Sequence, residues 1–246
     1  MGAVVSKVVS ESLLSLYPVF VKSIDLPIEV QMWARVVAYA VISWFFIDSY
    51  VWKNILSGPA VALAVVNVAH IYTSYRGFQL LDSGPAYTLF YIYPIFILLL
   101  SGRVSRYMVL VALGVYLTVD FERYMGIIMI VLAAITEALM YFCVKRLPSP
   151  NPWNHLFLSC MPSAVIGTVL LRPALPPMAL GGNALIGLVG YYLRFYAIHR
   201  LDAYRYAVLS YVGIAMSYVY GWLFFGTKIT LKEFIGSILI FAGTFK

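Results

Sequence analysis

The stretch IIMIVLAAITEALMYFCVK, residues 127–145, carries one acidic residue, Glu137, and no other charge before its closing Lys145. A helix needs about 20 predominantly apolar residues to cross the hydrocarbon core of a bilayer, and this stretch comes close to supplying them alone. Comparable runs recur along the chain: VALAVVNVAHIY at 61–72, YIYPIFILLL at 91–100 and IGSILIFAG at 235–243. Hydrophobic residues make up 63% of the 246 residues and charged residues 11%, where a soluble domain carries about 25% charged. A chain of this composition has lipid as its solvent. In lipid every backbone N–H and C=O needs an internal partner, which leaves helices or closed barrels. Barrel strands alternate apolar and polar residues, whereas these runs are solidly apolar, so the elements are helices.

Reading outward between polar breaks gives an all-α polytopic membrane protein of ten transmembrane helices, with limits near 3–24, 30–49, 58–79, 84–101, 105–120, 124–145, 154–172, 178–199, 204–225 and 231–246. The intervening loops are short and punctuated by Pro and Gly, as in DLP (25–27), SGRVSR (101–106), PSPNPW (148–153) and RPALPP (172–177). No segment is left over for a domain outside the membrane. Ten spans put both termini on one side. Lys7, Lys53, Arg103, Arg106, Lys145, Arg146, Arg200, Arg205 and Lys246 fall on that side, against Lys22, Arg76, Arg123, Arg172, Lys228 and Lys232 on the other. The excess points to cytoplasmic termini. The net charge of +7 is read the same way, as loop cations near anionic headgroups, with no nucleic-acid partner implied. Cys143 and Cys160 sit in apolar surroundings without metal-ligand or redox spacing and read as core filler.

The two halves of the chain resemble each other. At an offset of 120, YTSYRGFQLLDSGPAYTLFYIYP, from Tyr72, meets YLRFYAIHRLDAYRYAVLSYVGI, from Tyr192. Tyr72 falls on Tyr192, Tyr75 on Phe195, Leu81 on Leu201, Asp82 on Asp202 and Tyr91 on Tyr211. SLYPVFVK, ending at Lys22, is similar to EALMYFCVK, ending at Lys145, and Gly114 in VALGVYL corresponds to Gly236 in EFIGSIL. The chain therefore divides into repeats at 1–122 and 123–246, together one membrane domain. Five spans per repeat oblige the second copy to enter from the opposite side, giving an inverted repeat, the arrangement on which many alternating-access carriers are built.

SLYPVFVK in span one, SGPAYTLFYIYPIF (83–96) across spans three and four, and YGWLFFGTKITLKEFIGSILIFAG (220–243) at the end resemble the drug/metabolite transporter superfamily in its ten-helix EamA-like branch. Thr227 stands where members commonly carry an acidic residue after the glycine closing span nine. The resemblance implies a central cavity between spans 1, 3, 4, 6, 8 and 9, with spans 5 and 10 as peripheral support. It implies a secondary transporter of a small organic solute, such as an amino acid, organic cation or other metabolite.

Carboxylates inside a bilayer are costly and mark functional sites by default. Glu11 in span one and Glu137 in the equivalent span six are the two here. The spacing of Glu137 to Lys145 resembles that of the essential glutamate in the small multidrug resistance family, half-size relatives that exchange protons for cations. Protons are thus a candidate coupling ion. Glu11 lies about one turn off the matching position, which Leu14 occupies, so its substitution is expected to have the milder effect. The alternative for either glutamate is a packing role beside a neighbouring Arg, Tyr or Ser. Arg194, near the end of span eight, can hold a carboxylate or phosphate bidentately or snorkel to headgroups, and Arg76, at a loop, is expected to snorkel. Asn67 and His70 share a face of span three, as interhelical glue or cavity lining. Tyr17, Tyr91, Tyr141, Tyr192 and Tyr211, with Ser210 beside the last, complete the candidate substrate-binding set; Tyr93 and Tyr218 lie on the same putative spans. Gly182, Gly187 and Gly190 permit close approach along span eight.

No cofactor or metal site is expected. The histidines His70, His155 and His199 are far apart in sequence, and neither a GxSxG elbow nor a His-Glu-x-x-His motif occurs. A channel or receptor, or an intramembrane enzyme, are the alternatives to a carrier. A monomer and a homodimer are both compatible with the sequence.

Overall fold

A computed structural model describes residues 2–103, 106, 108–118, 121–171 and 179–243. The RPALPP loop with Arg172, the C-terminal Lys246 and the surroundings of Gly182 lie outside the described residues. Among those residues the chain is helical throughout, with no strand. The helices are α1 (Ala3–Leu14), α2 (Tyr17–Ser23), α3 (Ile28–Trp44), α4 (Tyr50–Asn54), α5 (Gly58–Leu80), α6 (Ser83–Phe90), α7 (Tyr93–Leu100), α8 (Met108–Thr118), α9 (Tyr124–Arg146), α10 (Pro152–Leu171), α11 (Ala179–Arg200), α12 (Ala203–Ser210), α13 (Val212–Phe225) and α14 (Leu231–Ala242).

Among the described residues four stretches are long and apolar enough to cross a bilayer: Ala3–Ser23, Ser83–Leu100, Tyr124–Arg146 and Ala203–Phe225. The first, second and fourth of these are each made of two helices meeting at a break. Two of the breaks follow from proline. A proline within a helix has no N–H to donate, and its ring collides with the carbonyl four residues back. Pro18 acts on Leu14, where α1 ends, and Pro94 acts on Phe90, where α6 ends. The carbonyl freed at Leu14 is taken by the Tyr87 hydroxyl. The third break, at Tyr211, has no proline.

The remaining long helices α3, α5, α10 and α11 carry several polar side chains that point inward. Arg35, Asn67, His70, Asn154, His155 and Arg194 are all buried. The outer surface is apolar, with Phe45, Leu170 and Trp222 each more than half exposed. This is the reverse of a water-soluble protein and suits a lipid solvent. The principal helix pairings are α5 with α9, α1 with α11, α3 with α10 and α8 with α14. The last pairing is a glycine contact: a Cβ at Gly114 would lie 2.6 Å from the Gly236 carbonyl oxygen.

Candidate functional site

The centre of the molecule is a buried charge cluster built by α1, α9 and α11. Lys7 and Glu11 stand one turn apart on α1 and form an ion pair. Residues four apart share a helix face, so both side chains point the same way, and neither is exposed to solvent. Arg194 reaches in from α11 and joins the two glutamates. Its Nη1 donates to Glu137 Oε1 at 2.6 Å, and its Nη2 donates to Glu11 Oε2 at 2.9 Å and Oε1 at 3.0 Å. The helix break at Tyr91 turns two tyrosines onto the same carboxylate. Tyr91 donates to Glu11 Oε2 at 2.8 Å and Tyr93 donates to Oε1 at 3.3 Å, while Lys7 Nζ donates to the Tyr93 oxygen at 3.1 Å. Lys7 also lies 3.5 Å from the centre of the Tyr206 ring, a cation–π contact. Two carboxylates thus balance two cations. In a low-dielectric interior such a network holds only while its members stay paired.

His70 on α5 extends the cluster. Its Nδ1 is 3.1 Å from the Ala133 carbonyl oxygen. A carbonyl oxygen can only accept, so Nδ1 carries a proton. Nε2 then meets the Tyr191 hydroxyl at 3.0 Å and Glu137 Oε2 at 3.4 Å. That second oxygen of Glu137 has no hydrogen-bond partner. A proton between Glu137 Oε2 and His70 Nε2 would remove the lone-pair conflict between them.

Next to this cluster lies a second buried cation, Arg35 on α3. Four tyrosine rings surround it, with ring centres 4.8 Å (Tyr17), 5.3 Å (Tyr39), 5.7 Å (Tyr75) and 4.8 Å (Tyr191) from its Cζ. Tyr191 is shared, since Arg194 lies 5.1 Å from the same ring centre. The Tyr17 and Tyr39 hydroxyls are 2.6 Å apart. They fit because residue 187 is glycine: a Cβ there would overlap both oxygens. A small cavity of about 20 Å³ with buried walls lies between Arg35, Tyr17, His70, Ser74, Tyr75, Tyr191 and Arg194, room for about one water-sized group.

The candidate residues separate accordingly. Glu11, His70, Tyr91, Glu137 and Arg194 come together in the cluster, and Tyr17 joins the enclosure around Arg35. Tyr141 is one ring removed, tilted against Tyr206 with ring centres 4.9 Å apart. Asn67 ties α5 to α10 through the Ser159 carbonyl at 3.0 Å, the interhelical role. Ser210 bonds back to the Tyr206 carbonyl at 2.8 Å. Tyr192 packs on Trp153 and Tyr211 on Phe241, and Tyr211 lines an outward groove between α12, α13 and α14; neither joins the cluster. Arg194, for which two roles were open, is the hub of the ion pairs, and Arg76 is exposed. Lys7 is not a loop cation: counted toward the cytoplasmic excess, it lies fully buried in the cluster. The histidines far apart in sequence are not all apart in space, because His155 and His199 stack with Nε2 atoms 2.9 Å apart.

Lys7, Arg35, Tyr39, Tyr93, Tyr191 and Tyr206 were not among the candidates. Two of them left a readable signal. Lys7 stands four residues before Glu11, and Arg35 is a cation inside an apolar segment that a lipid-facing helix would not tolerate.

The outward apolar surface and the inward ionic core are those of a multi-pass integral membrane protein. Residues 124–245 match the EamA-like transporter family, part of the drug/metabolite transporter superfamily. That family consists of transporters rather than enzymes, with small solutes as substrates. Among curated proteins, none matches the chain in sequence. A solved structure described only as the crystal structure of a protein is similar over 98% of this chain and 93% of its own, with a TM-score of 0.64 and 15% identity. That likeness concerns the fold alone.

Proposed function

We propose that this protein is a secondary transporter that carries a small organic solute by alternating access, through ten spans arranged as two inverted repeats, 1–122 and 123–246. The observation that carries the reading is Arg194 of the second half holding Glu11 of the first and Glu137 of its own at once. A buried ionic link between two halves is weak evidence for stability, because desolvation offsets much of its attraction. It makes better sense as a latch whose partners change when the halves move.

Several further features support the repeat. Helices α6 and α12 begin and end 120 residues apart, with the equivalent aspartates Asp82 and Asp202 at their N-cap positions, of which Asp202 accepts the capping hydrogen bonds. The pairing of α5 with α9 corresponds to that of α11 with α1 when the halves are exchanged, and the α3–α10 and α8–α14 pairings map onto themselves. Loop contacts fall into two groups, as ten spans require. Asn151 bonds Asp48 at 3.3 Å, joining the loop after α3 to the one after α9, and Arg123 pairs with Asp82 at 3.0 Å, joining the loops after α5 and α8. The orientation proposed is termini in the cytoplasm.

Protons are the coupling ion of choice, with Glu137 and His70 as the loading site. The unpartnered Glu137 Oε2 and the imidazole Nε2 accept one proton between them without moving other groups. Neutralising Glu137 loosens its hold on Arg194 and frees the latch. The test is counterflow in proteoliposomes with labelled amino acids, organic cations and organic anions. One class should accumulate, and Glu137→Gln should abolish proton-driven accumulation while the protein still folds. Normal pH-dependent uptake by Glu137→Gln rejects the proton site. Absence of counterflow for every class rejects the carrier.

A further inference from the structure

We propose that Arg35 is an anion-binding residue, and that the transported solute bears a carboxylate or phosphate group that docks on its guanidinium within the ring of Tyr17, Tyr39, Tyr75 and Tyr191. The proposal rests on the carrier reading above and names the substrate chemistry of that same site.

Arg35 is a buried cation without a counter-charge. Both carboxylates of the core are committed to Arg194 and Lys7, and among the described residues no carboxylate lies within ion-pair distance of Arg35. Its Nε has no hydrogen-bond partner. The tyrosine faces attract the cation but offer its N–H groups no anionic acceptor. A guanidinium presents a planar fork of donors that matches carboxylate and phosphate oxygens, and here that fork is screened from lipid and borders the small cavity. The surroundings also offer a donor. When two hydroxyls share one hydrogen bond, one of the two O–H protons remains to be given elsewhere, so the Tyr17–Tyr39 pair can donate to a guest oxygen. In the arrangement described the cavity admits only a water-sized group, so an anionic solute enters when the halves part. With two glutamates neutralised by Lys7 and Arg194, the core as a whole is one positive charge in excess, and a monoanionic group completes it.

Purified full-length protein in detergent provides the test, read as a saturable shift in thermal unfolding at matched ionic strength. The probes are benzoate and inorganic phosphate, the uncharged benzamide, and the cationic benzylammonium. One of the two anions should stabilise the protein saturably, and which one distinguishes a carboxylate from a phosphate solute. Benzamide and benzylammonium should not. Arg35→Lys, which keeps the charge and loses the fork, should weaken the apparent affinity roughly tenfold, and Arg35→Gln should abolish the shift. No saturable effect of either anion, or an anion effect unchanged in both variants, overturns the proposal. If the variants fail to fold, the wild-type comparison decides: protection by benzylammonium and not by the anions overturns it. Anion binding without counterflow of that anion keeps the site and rejects the carrier. Counterflow of a cationic solute indifferent to both anions keeps the carrier and rejects Arg35.

Discussion

Glu11 makes more of the cluster's bonds than Glu137. It accepts from Arg194, Tyr91 and Tyr93 and pairs with Lys7, whereas Glu137 holds Arg194 through one oxygen and leaves the other facing His70. Removing one partner of a buried pair strands the other, at about 3–5 kcal/mol. Glu11→Gln strands Lys7, whose ion pair is with Glu11, leaves Arg194 on Glu137 alone, and is expected to lose stability on that scale. Glu137→Gln leaves Arg194 on Glu11 and should lose clearly less. Thermal unfolding of the two purified variants compares them, and a larger loss for Glu137→Gln would show that Arg194 depends on Glu137 instead. The repeat register, where Glu11 is one turn out of place, ranks the two acids by their part in proton-driven transport, which is a separate quantity from this stability. The register compares positions along equivalent helices, and the reach of Arg194 brings both carboxylates to one guanidinium despite the offset. The acids were legible because carboxylates are rare in such runs. The aromatic enclosure was not: 20 tyrosines are spread along the chain, and nothing local distinguishes Tyr39 or Tyr191 from tyrosines of the interfacial belt.

At the scale of elements, the broken spans depend on close fits that single residues provide. A Cβ on Gly213, just past the break at Tyr211, would overlap the Tyr91 hydroxyl and ring, and that hydroxyl is the one bonded to Glu11. Gly213→Ala is therefore expected to displace Tyr91 and cost about 1–3 kcal/mol, the range for overpacking. In a Tyr91→Ala background the same change should cost much less, and a double-mutant cycle by thermal unfolding measures the coupling. Additive effects would mean that Gly213 and Tyr91 do not compete for the space. The start of α12 offers a pH test outside the membrane. Backbone N–H groups of Arg205 and Tyr204 donate to the exposed Asp202 at 3.0 Å each. These bonds, Arg205 first, hold its carboxyl below the ordinary carboxylate range. A depressed carboxyl stabilises the fold above the ordinary range, and the contribution disappears as pH falls through the depressed value. Asp202→Asn retains the cap and should flatten this acid-side dependence. Asp202→Ala should lose about 1 kcal/mol at neutral pH. An acid limb equally steep in wild type and Asp202→Asn would place the titration elsewhere. Breaks at Pro18 and Pro94 and the cap at Asp202 are readable from residue type alone. The break at Tyr211 is not, because no proline marks it.

At the scale of the whole molecule, alternating access requires that the central cavity be closed at some moments and open to one side or the other at others. Ser74 on α5 lines that cavity and is buried, so a cysteine there reports on each state. With Cys143 and Cys160 replaced by alanine, single cysteines at Lys53, Arg146 and Arg200 are expected to react with a membrane-impermeant thiol reagent from the cytoplasmic side. Cysteines at Asp25, Arg123 and Thr227 should react from the opposite side. All six positions are exposed, so their reactivity depends on sidedness alone, and labelling that mixes the two groups would overturn the ten-span inverted arrangement. Against that frame, Ser74→Cys should be slow to react from either side while the cavity is closed. It should react from both sides, in separate experiments, once the protein can cycle. The latch adds a second condition. If Arg194 must release a carboxylate for the halves to part, Glu137→Gln should shift Ser74→Cys toward faster labelling from at least one side, by removing one of the two carboxylates that hold the hub. A channel would behave differently, admitting the reagent from both sides at once, and a rigid bundle would admit it from neither. Labelling of Ser74→Cys that is simultaneous from both sides, or absent throughout, would overturn alternating access even if the six loop positions report the expected topology.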